Sequence, residues 1–255
     1  MQNERRGAYL DAMGITRWRR RDAGPAPADI GSPDGTRAPN PVEAPDPAPV
    51  GQSTSPPEVM ETAAEVDGVS GLDWEVLRQR VAACTACSLH ETRTNTVFGV
   101  GNPQADLMVI GEAPGADEDR QGEPFVGRAG QLLNEMLRAI GLGREQVFIA
   151  NILKCRPPGN RDPRPEEVTR CMPYLLRQID LVRPRVLLSV GRISAQNLLQ
   201  TDTPVGRLRG RVHRFGEAGI PLVVTYHPAY LLRSPEQKAK AWVDLQLVLR
   251  TLRGV

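Results

Sequence analysis

Two sets of side chains in this sequence have types and spacings that suit chemistry. The first is sulfur: Cys84 and Cys87 form a Cys-x-x-Cys pair, Cys155 and Cys171 follow, and the chain has no fifth cysteine. Four thiolates suit either a tetrahedral zinc ion or a cubane iron–sulfur cluster, and spacing does not choose between them. Pro157, Pro158, Gly159, Asn160, Arg161 and Arg164 lie inside the loop that Cys155 and Cys171 would close. A metal there would act as a scaffold for a basic loop with no structure of its own. The second set is polar: Glu112, Asn151 and His227 each stand at or just beyond the end of a short apolar run. A carboxylate can act as acid, base or positioner of water, an amide carries a donor and an acceptor side by side, and an imidazole can donate to a developing anion.

The elements that must position these groups alternate between two periodicities. Residues 105–111 (ADLMVIG), 147–153 (VFIANIL), 185–191 (RVLLSVG) and 220–226 (IPLVVTY) are short, rich in β-branched residues and almost uniformly apolar. Such runs are buried on both faces, which predicts parallel strands. Helical patterns fall between them at 127–140, 165–181 and 192–199, with a closing helix over 235–252. The reading is an α/β fold, a three-layer α/β/α sandwich around a central, mainly parallel four-stranded sheet. In open sheets of this kind ligands gather at the carboxyl ends of the strands. Gly111-Glu112-Ala113-Pro114-Gly115 follows the first strand, Asn151 lies near the end of the second and His227-Pro228 follows the fourth, so all three polar groups are expected to face one crevice.

Composition bounds the rest. Ten of the 23 prolines fall between Pro25 and Pro57, a stretch that cannot build a core. Three regions are therefore expected: a short amphipathic helical segment over 1–23, a disordered Pro/Ala-rich linker over 24–70, and a single folded domain over 71–255. That domain holds 25 of the 32 Lys+Arg and 19 of the 30 Asp+Glu, a net +6, whereas the first seventy residues carry 7 and 11, a net −4. A basic domain is compatible with a polyanionic partner without requiring one. No apolar run reaches the ~18 residues of a membrane span, and no secretory signal is visible. An intracellular, cytoplasmic location follows as an expectation, and in that reducing setting cysteines serve as metal ligands more often than as disulfides. Arginine far outnumbers lysine, and Ala and Pro are abundant, as in a GC-rich bacterial genome.

With these residues in place the chain resembles a known family. Residues 111–115 (GEAPG), 122–133 (GEPFVGRAGQLL), 151–158 (NILKCRPP) and 227–232 (HPAYLL), together with the four cysteines in register, resemble the family 4 uracil-DNA glycosylases, the iron–sulfur branch of the uracil-DNA glycosylase superfamily. The likeness spans about residues 72–255. It implies a [4Fe–4S] cluster on Cys84, Cys87, Cys155 and Cys171, and hydrolysis of the bond between uracil and deoxyribose to start base excision repair. Glu112, Ala113, Pro114, Phe125, Asn151 and His227 would contact uracil, with Glu112 and His227 catalytic. Phe125 would stack on the extruded base, a contact worth roughly 1–3 kcal/mol. Asn151 would accept from N3–H and donate to O4, rejecting cytosine, whose edge is inverted. His227 would donate to O2 as the base leaves.

Other glycosylase families place an Asp in the loop equivalent to residues 111–115, whereas here the nearest carboxylate is Glu112. Asp117, Glu118 and Asp119 form a second acidic cluster, readable as a solvated loop face or, for Glu118, as a group crowding the place of thymine's methyl. The resemblance offers Leu231 or Leu232 as the wedge that enters DNA during base flipping, with Arg233 on a phosphate; an apolar contact that caps a helix is the alternative reading. Arg207, Arg209, Arg211 and Arg214 form a basic run that suits either solvent or the DNA backbone. Uracil-containing DNA is thus the expected partner, met at the nucleoid by a monomer without membrane association, and the N-terminal segment is open to a protein partner. Two rivals remain: a branch that traps uracil-DNA covalently through a histidine, for which residues 154–162 supply none, and a non-catalytic iron–sulfur or zinc module that binds DNA.

Overall fold

A computed structural model of the chain describes residues 68–254. The expected helical segment over 1–23 and the linker up to residue 67 lie outside the described residues. The sheet is built first by β2 (Leu107–Gly111), β3 (Phe148–Asn151), β4 (Val186–Val190) and β6 (Ile220–Thr225), which run parallel in the order β3-β2-β4-β6. These are the four apolar runs of the sequence. Every residue of β2, β3 and β4 is buried, as expected for strands covered on both sides.

The expectation of four strands is an undercount, because the sheet has six. β1 (Val100–Gly101) pairs antiparallel with β3 on one edge, and β5 (Val212–Phe215) pairs antiparallel with β6 on the other. Neither has an apolar signature: β1 is two residues long and includes a glycine, while β5 reads VHRF and alternates between exposed and half-buried.

Alternate strand residues enter two separate cores. Met108, Ile110, Phe148, Ala150, Leu187, Leu222 and Val224 face one side. There they meet α1 (Trp74–Ala82), α4 (Pro165–Val182) and α5 (Arg192–Leu199) through Leu77, Val81, Leu175, Ile179 and Leu198. Leu107, Val109, Ile149, Leu188 and Val223 face the other side. Their partners are Leu133, Met136 and Leu137 of α3 (Arg128–Ala139) and Leu245 and Val248 of α8 (Lys238–Arg253). The period-two split of each strand between two cores is the physical content of the three-layer architecture. The described residues also form three short α-helices, α2 (Ala116–Gln121), α6 (Val205–Leu208) and α7 (Pro228–Arg233), and four 3-10 turns. No helix among the described residues is long and apolar enough to cross a membrane.

From β2 the chain winds to β3 on one side, then crosses to β4 on the other. The order of strands therefore reverses beside β2, and a crevice opens at that switch point, at the carboxyl ends.

Candidate active site

A cleft of about 770 Å³ occupies this position, lined by Glu112, Ala113, Pro114, Gly115, Glu118, Phe125, Asn151, Arg192, His227, Tyr230 and Arg233 among others. Every residue that the sequence suggested for contact with the base thus lies on one wall system. The ends of β2 and β3 are tied beyond the sheet, with Ile152 N donating to Gly111 O at 3.0 Å and Leu153 N to Glu112 O at 3.0 Å. Glu112 and Asn151 are therefore held side by side by backbone.

Asn151 is 2% exposed, and its Oδ1 has no hydrogen-bond partner. A buried acceptor left unpaired costs about 1–3 kcal/mol. Its backbone carbonyl is pinned from below by Lys154 Nζ at 2.9 Å, and the same ammonium donates to Gln178 Oε1 at 2.6 Å. Gly111 makes room above: a Cβ there would lie 2.4 Å from Asn151 Oδ1 and 2.7 Å from Phe125 Cζ. Only a glycine lets amide and ring approach each other across that point.

Phe125 is buried and its ring lies 5.7 Å from that of His227, with 30° between planes. Its backbone is left-handed, φ 53°, a conformation that costs a bulky L-residue about 1–2 kcal/mol. Glu118 helps to impose it, because its carboxylate accepts from Val126 N at 3.0 Å, Gly127 N at 3.3 Å and Gly115 N at 3.1 Å. The acidic cluster therefore splits into three roles. Asp119 is buried and accepts from Thr94 N and Asn95 N, Asp117 pairs with Arg120 on the surface, and Glu118 faces the cleft while bracing its loop.

His227 caps α7, its Nδ1 accepting from Ala229 N at 3.1 Å. That bond assigns the ring proton to Nε2. Burial, then the nearby Arg233, lowers its pKa to about 4; the ring is neutral at physiological pH. Gly191, with φ 99°, admits it, since a Cβ there would lie 3.0 Å from His227 Cβ. Glu112 moves the other way. Burial, reinforced by Asp162 and opposed by Arg192, raises its pKa to about 7.

The four cysteines line a separate pocket with Arg93, Lys154 and Tyr174. Cys84 and Cys87 follow α1, Cys155 follows β3 and Cys171 lies in α4. Lys154 N donates to Cys171 Sγ at 3.2 Å, and Arg93 Nη1 to Cys155 Sγ at 3.2 Å. Burial pushes the Cys87, Cys155 and Cys171 thiols up, Cys171 to about 12. Among the described residues no three Cys, His, Asp or Glu side chains are gathered as around a single metal ion.

Two groups of expected DNA contacts separate. Leu231 is 1% exposed and packs in the core, while Leu232 is 37% exposed, so of the two only Leu232 is free to enter a helix. Arg233 lines the cleft. In the basic run, Arg209 is not surface charge, because its guanidinium grips the buried Asp244 carboxylate with bonds of 3.0 and 2.9 Å. Sequence reasoning gave no role to the buried Lys154 or to Gly111 and Gly191; a glycine at or just after the end of two central strands beside a crevice was the available signal.

The model of the uracil DNA glycosylase superfamily matches residues 98–246. The chain is 46% identical over 180 residues to a type-4 uracil-DNA glycosylase of Archaeoglobus fulgidus, covering 68% of this chain and 90% of that protein. It is 45% identical to the type-4 uracil-DNA glycosylase of Sulfurisphaera tokodaii, over 63% of this chain and 76% of that one. For the Pyrobaculum aerophilum type-4 uracil-DNA glycosylase the identity is 42%, over 69% and 93%. By its six-stranded sheet, the cleft at its switch point and these matches, the chain belongs to the type-4 uracil-DNA glycosylases.

Proposed function

We propose that the protein removes uracil from DNA by hydrolysing its N-glycosidic bond, and that the cleft between β2 and β4 is where the flipped base sits. The observation that carries this reading is the buried, unpartnered Oδ1 of Asn151 in a cleft that also holds an aromatic ring and a neutral imidazole. Uracil's N3–H satisfies that acceptor. Cytosine presents a lone pair at the same place, leaving two acceptors face to face.

Phe125 stacks on the base, with Ala113 and Pro114 closing the cleft beside it. As the bond from C1′ to N1 breaks, the electron pair leaves with uracil and charge gathers on O2. His227, neutral and protonated on Nε2, donates to that oxygen without first having to lose a proton. A preorganised donor of this kind contributes roughly 3–4 kcal/mol. The sugar is left electron-poor, and Glu112 as carboxylate orients a water whose oxygen bonds to C1′ while its proton passes to Glu112. In this scheme Arg233, on the cleft wall, holds a backbone phosphate, and Leu232 fills the gap in the duplex.

The four cysteines fit a [4Fe–4S] cluster on the chemistry of the donor set: four thiols share one pocket, and N–H groups point at two of the sulfurs. Cys84 and Cys87 after α1, Cys155 after β3 and Cys171 in α4 would hold the cluster, which would act there as a structural crosslink. The loop after β3 carries Pro157, Asn160 and Arg161 into the cleft wall, so such a crosslink would steady one side of the site. Catalysis is assigned to residues 71–255, acting as a cytoplasmic monomer.

The test is direct. An oligonucleotide with one uracil is incubated with the protein and then heated in alkali, which breaks the strand at abasic sites. Scission at the uracil, absent from a thymine control and lost in Asn151→Leu, is expected. Equal behaviour of the uracil and thymine strands would end the proposal.

A further inference from the structure

Phe125 occupies an unfavourable backbone conformation, and one residue outside the cleft is placed to impose it. Arg144 stands in the turn before β3, and it does not line the cleft. Its Nη1 donates to Phe125 O at 3.3 Å and to Asn134 Oδ1 at 3.5 Å, while its Nη2 donates to Pro124 O and to Glu123 Oε1, the latter at 3.2 Å. One half-buried guanidinium thus collects two successive carbonyls on the near side of Phe125. On the far side the Glu118 carboxylate collects the next two amide groups, those of Val126 and Gly127. A cation on the acceptors and an anion on the donors bracket a single left-handed residue. Gly130 closes the third side, since a Cβ there would lie 1.8 Å from Phe125 O.

We propose that Arg144 is a positioning residue for base recognition: it holds the 124–125 peptides so that the Phe125 ring stands parallel to the base plane, and this rests on the reading of Phe125 as the stacking plate. Strained conformations of this kind persist only where the surroundings over-determine them. Without the guanidinium, two partly buried carbonyls lose their donors and Phe125 is free to relax out of φ 53°. The ring then leaves the base plane while Asn151 and His227 stay in place, held by Lys154 and by the Ala229 amide.

The experiment is a double-mutant cycle in the full-length protein, with kcat/KM measured on a single-stranded uracil oligonucleotide. Arg144→Met keeps the apolar stem and removes every donor; it is expected to lower kcat/KM by about tenfold or more, the usual effect of losing charge-assisted bonds. In a Phe125→Ala background the same change is expected to cost less than about twofold, because the plate that it positions is already gone. A merely structural role for Arg144 would lower activity by the same factor in both backgrounds, and that result overturns the proposal. Phe125→Ala with undiminished activity refutes the plate, and this inference with it. Should Arg144→Met fail to fold, Arg144→Lys, which retains the charge and can reach one carbonyl, carries the same cycle.

Discussion

Glu112 offers the sharpest test of the mechanism because its protonation is tied to neighbours that can be changed one at a time. Its pKa is raised to about 7 by burial, with Asp162 adding to the shift and Arg192 reducing it. If the carboxylate is the form that orients water, kcat/KM must fall as pH drops through 7. For one group titrating there, about nine-tenths is ionised at pH 8 and about one-tenth at pH 6, so the rate should change about tenfold between them. Glu112→Gln removes the charge altogether; a loss of roughly 10²- to 10⁴-fold is expected, with a flat profile across the same window, because His227 titrates only at about 4. Asp162→Asn should slide the wild-type limb to lower pH and Arg192→Ala should slide it to higher pH. Initial rates of uracil release at constant ionic strength from pH 5.5 to 8.5 give all four curves. A limb that survives unchanged in Glu112→Gln would refute the assignment.

His227→Ala should lower kcat by about 10²- to 10³-fold, read in single-turnover uracil release. Glu112→Gln should also stabilise the fold: a carboxyl with a folded pKa near 7 binds more protons than its unfolded counterpart between pH 4.5 and 7. Stability therefore falls as pH rises through that window, and the gain in Tm should be present at pH 8 and gone at pH 4.5. Gly111→Ala should abolish uracil binding, because the new methyl falls 2.4 Å from Asn151 Oδ1; titration with free uracil would show it. Leu231→Ala, at a buried site, should destabilise by about 2–5 kcal/mol. Leu232→Ala should leave Tm near wild type while slowing excision from duplex more than from single-stranded DNA.

Much of this architecture is legible in the chain because burial on both faces leaves a simple mark. The runs that became β2, β3, β4 and β6 needed no periodicity to be read; their uniform apolarity sufficed. β1 and β5 left no such mark, since an edge strand is paired on one side only and its side chains answer to solvent. The placement of Glu112, Asn151 and His227 followed from the rule that crevices form at carboxyl ends of parallel strands. What escaped was anything defined by a partner far away in sequence. Arg209 looked like one of four surface arginines, yet Asp244 lies 35 residues on and the pair is buried. Asp119 looked solvated until its partners, Thr94 and Asn95, were brought alongside. Leu231 and Leu232 are adjacent, and only the packing of α7 against the core shows which one points inward.

The groups that make the site each behave differently from how they would in water. Glu112 is hard to ionise, His227 is hard to protonate, Asn151 keeps an unmet acceptor and Phe125 keeps an unfavourable φ. The unmet acceptor of Asn151 and the strained φ of Phe125 cost about 1–3 kcal/mol apiece, a large share of a domain's net stability of about 5–15 kcal/mol. They are sustained by two well-filled cores and by specific restraints: Lys154 under Asn151, the Ala229 amide on His227, and the Arg144–Glu118 bracket around Phe125. In the proposed mechanism a uracil ring would relieve part of this frustration by giving Asn151 a donor and offering His227 an acceptor that gains charge as the bond breaks. A base with the opposite hydrogen-bonding edge relieves none of it. On that reading, discrimination would reside in the unsatisfied free protein and be realised only when the base that fits arrives.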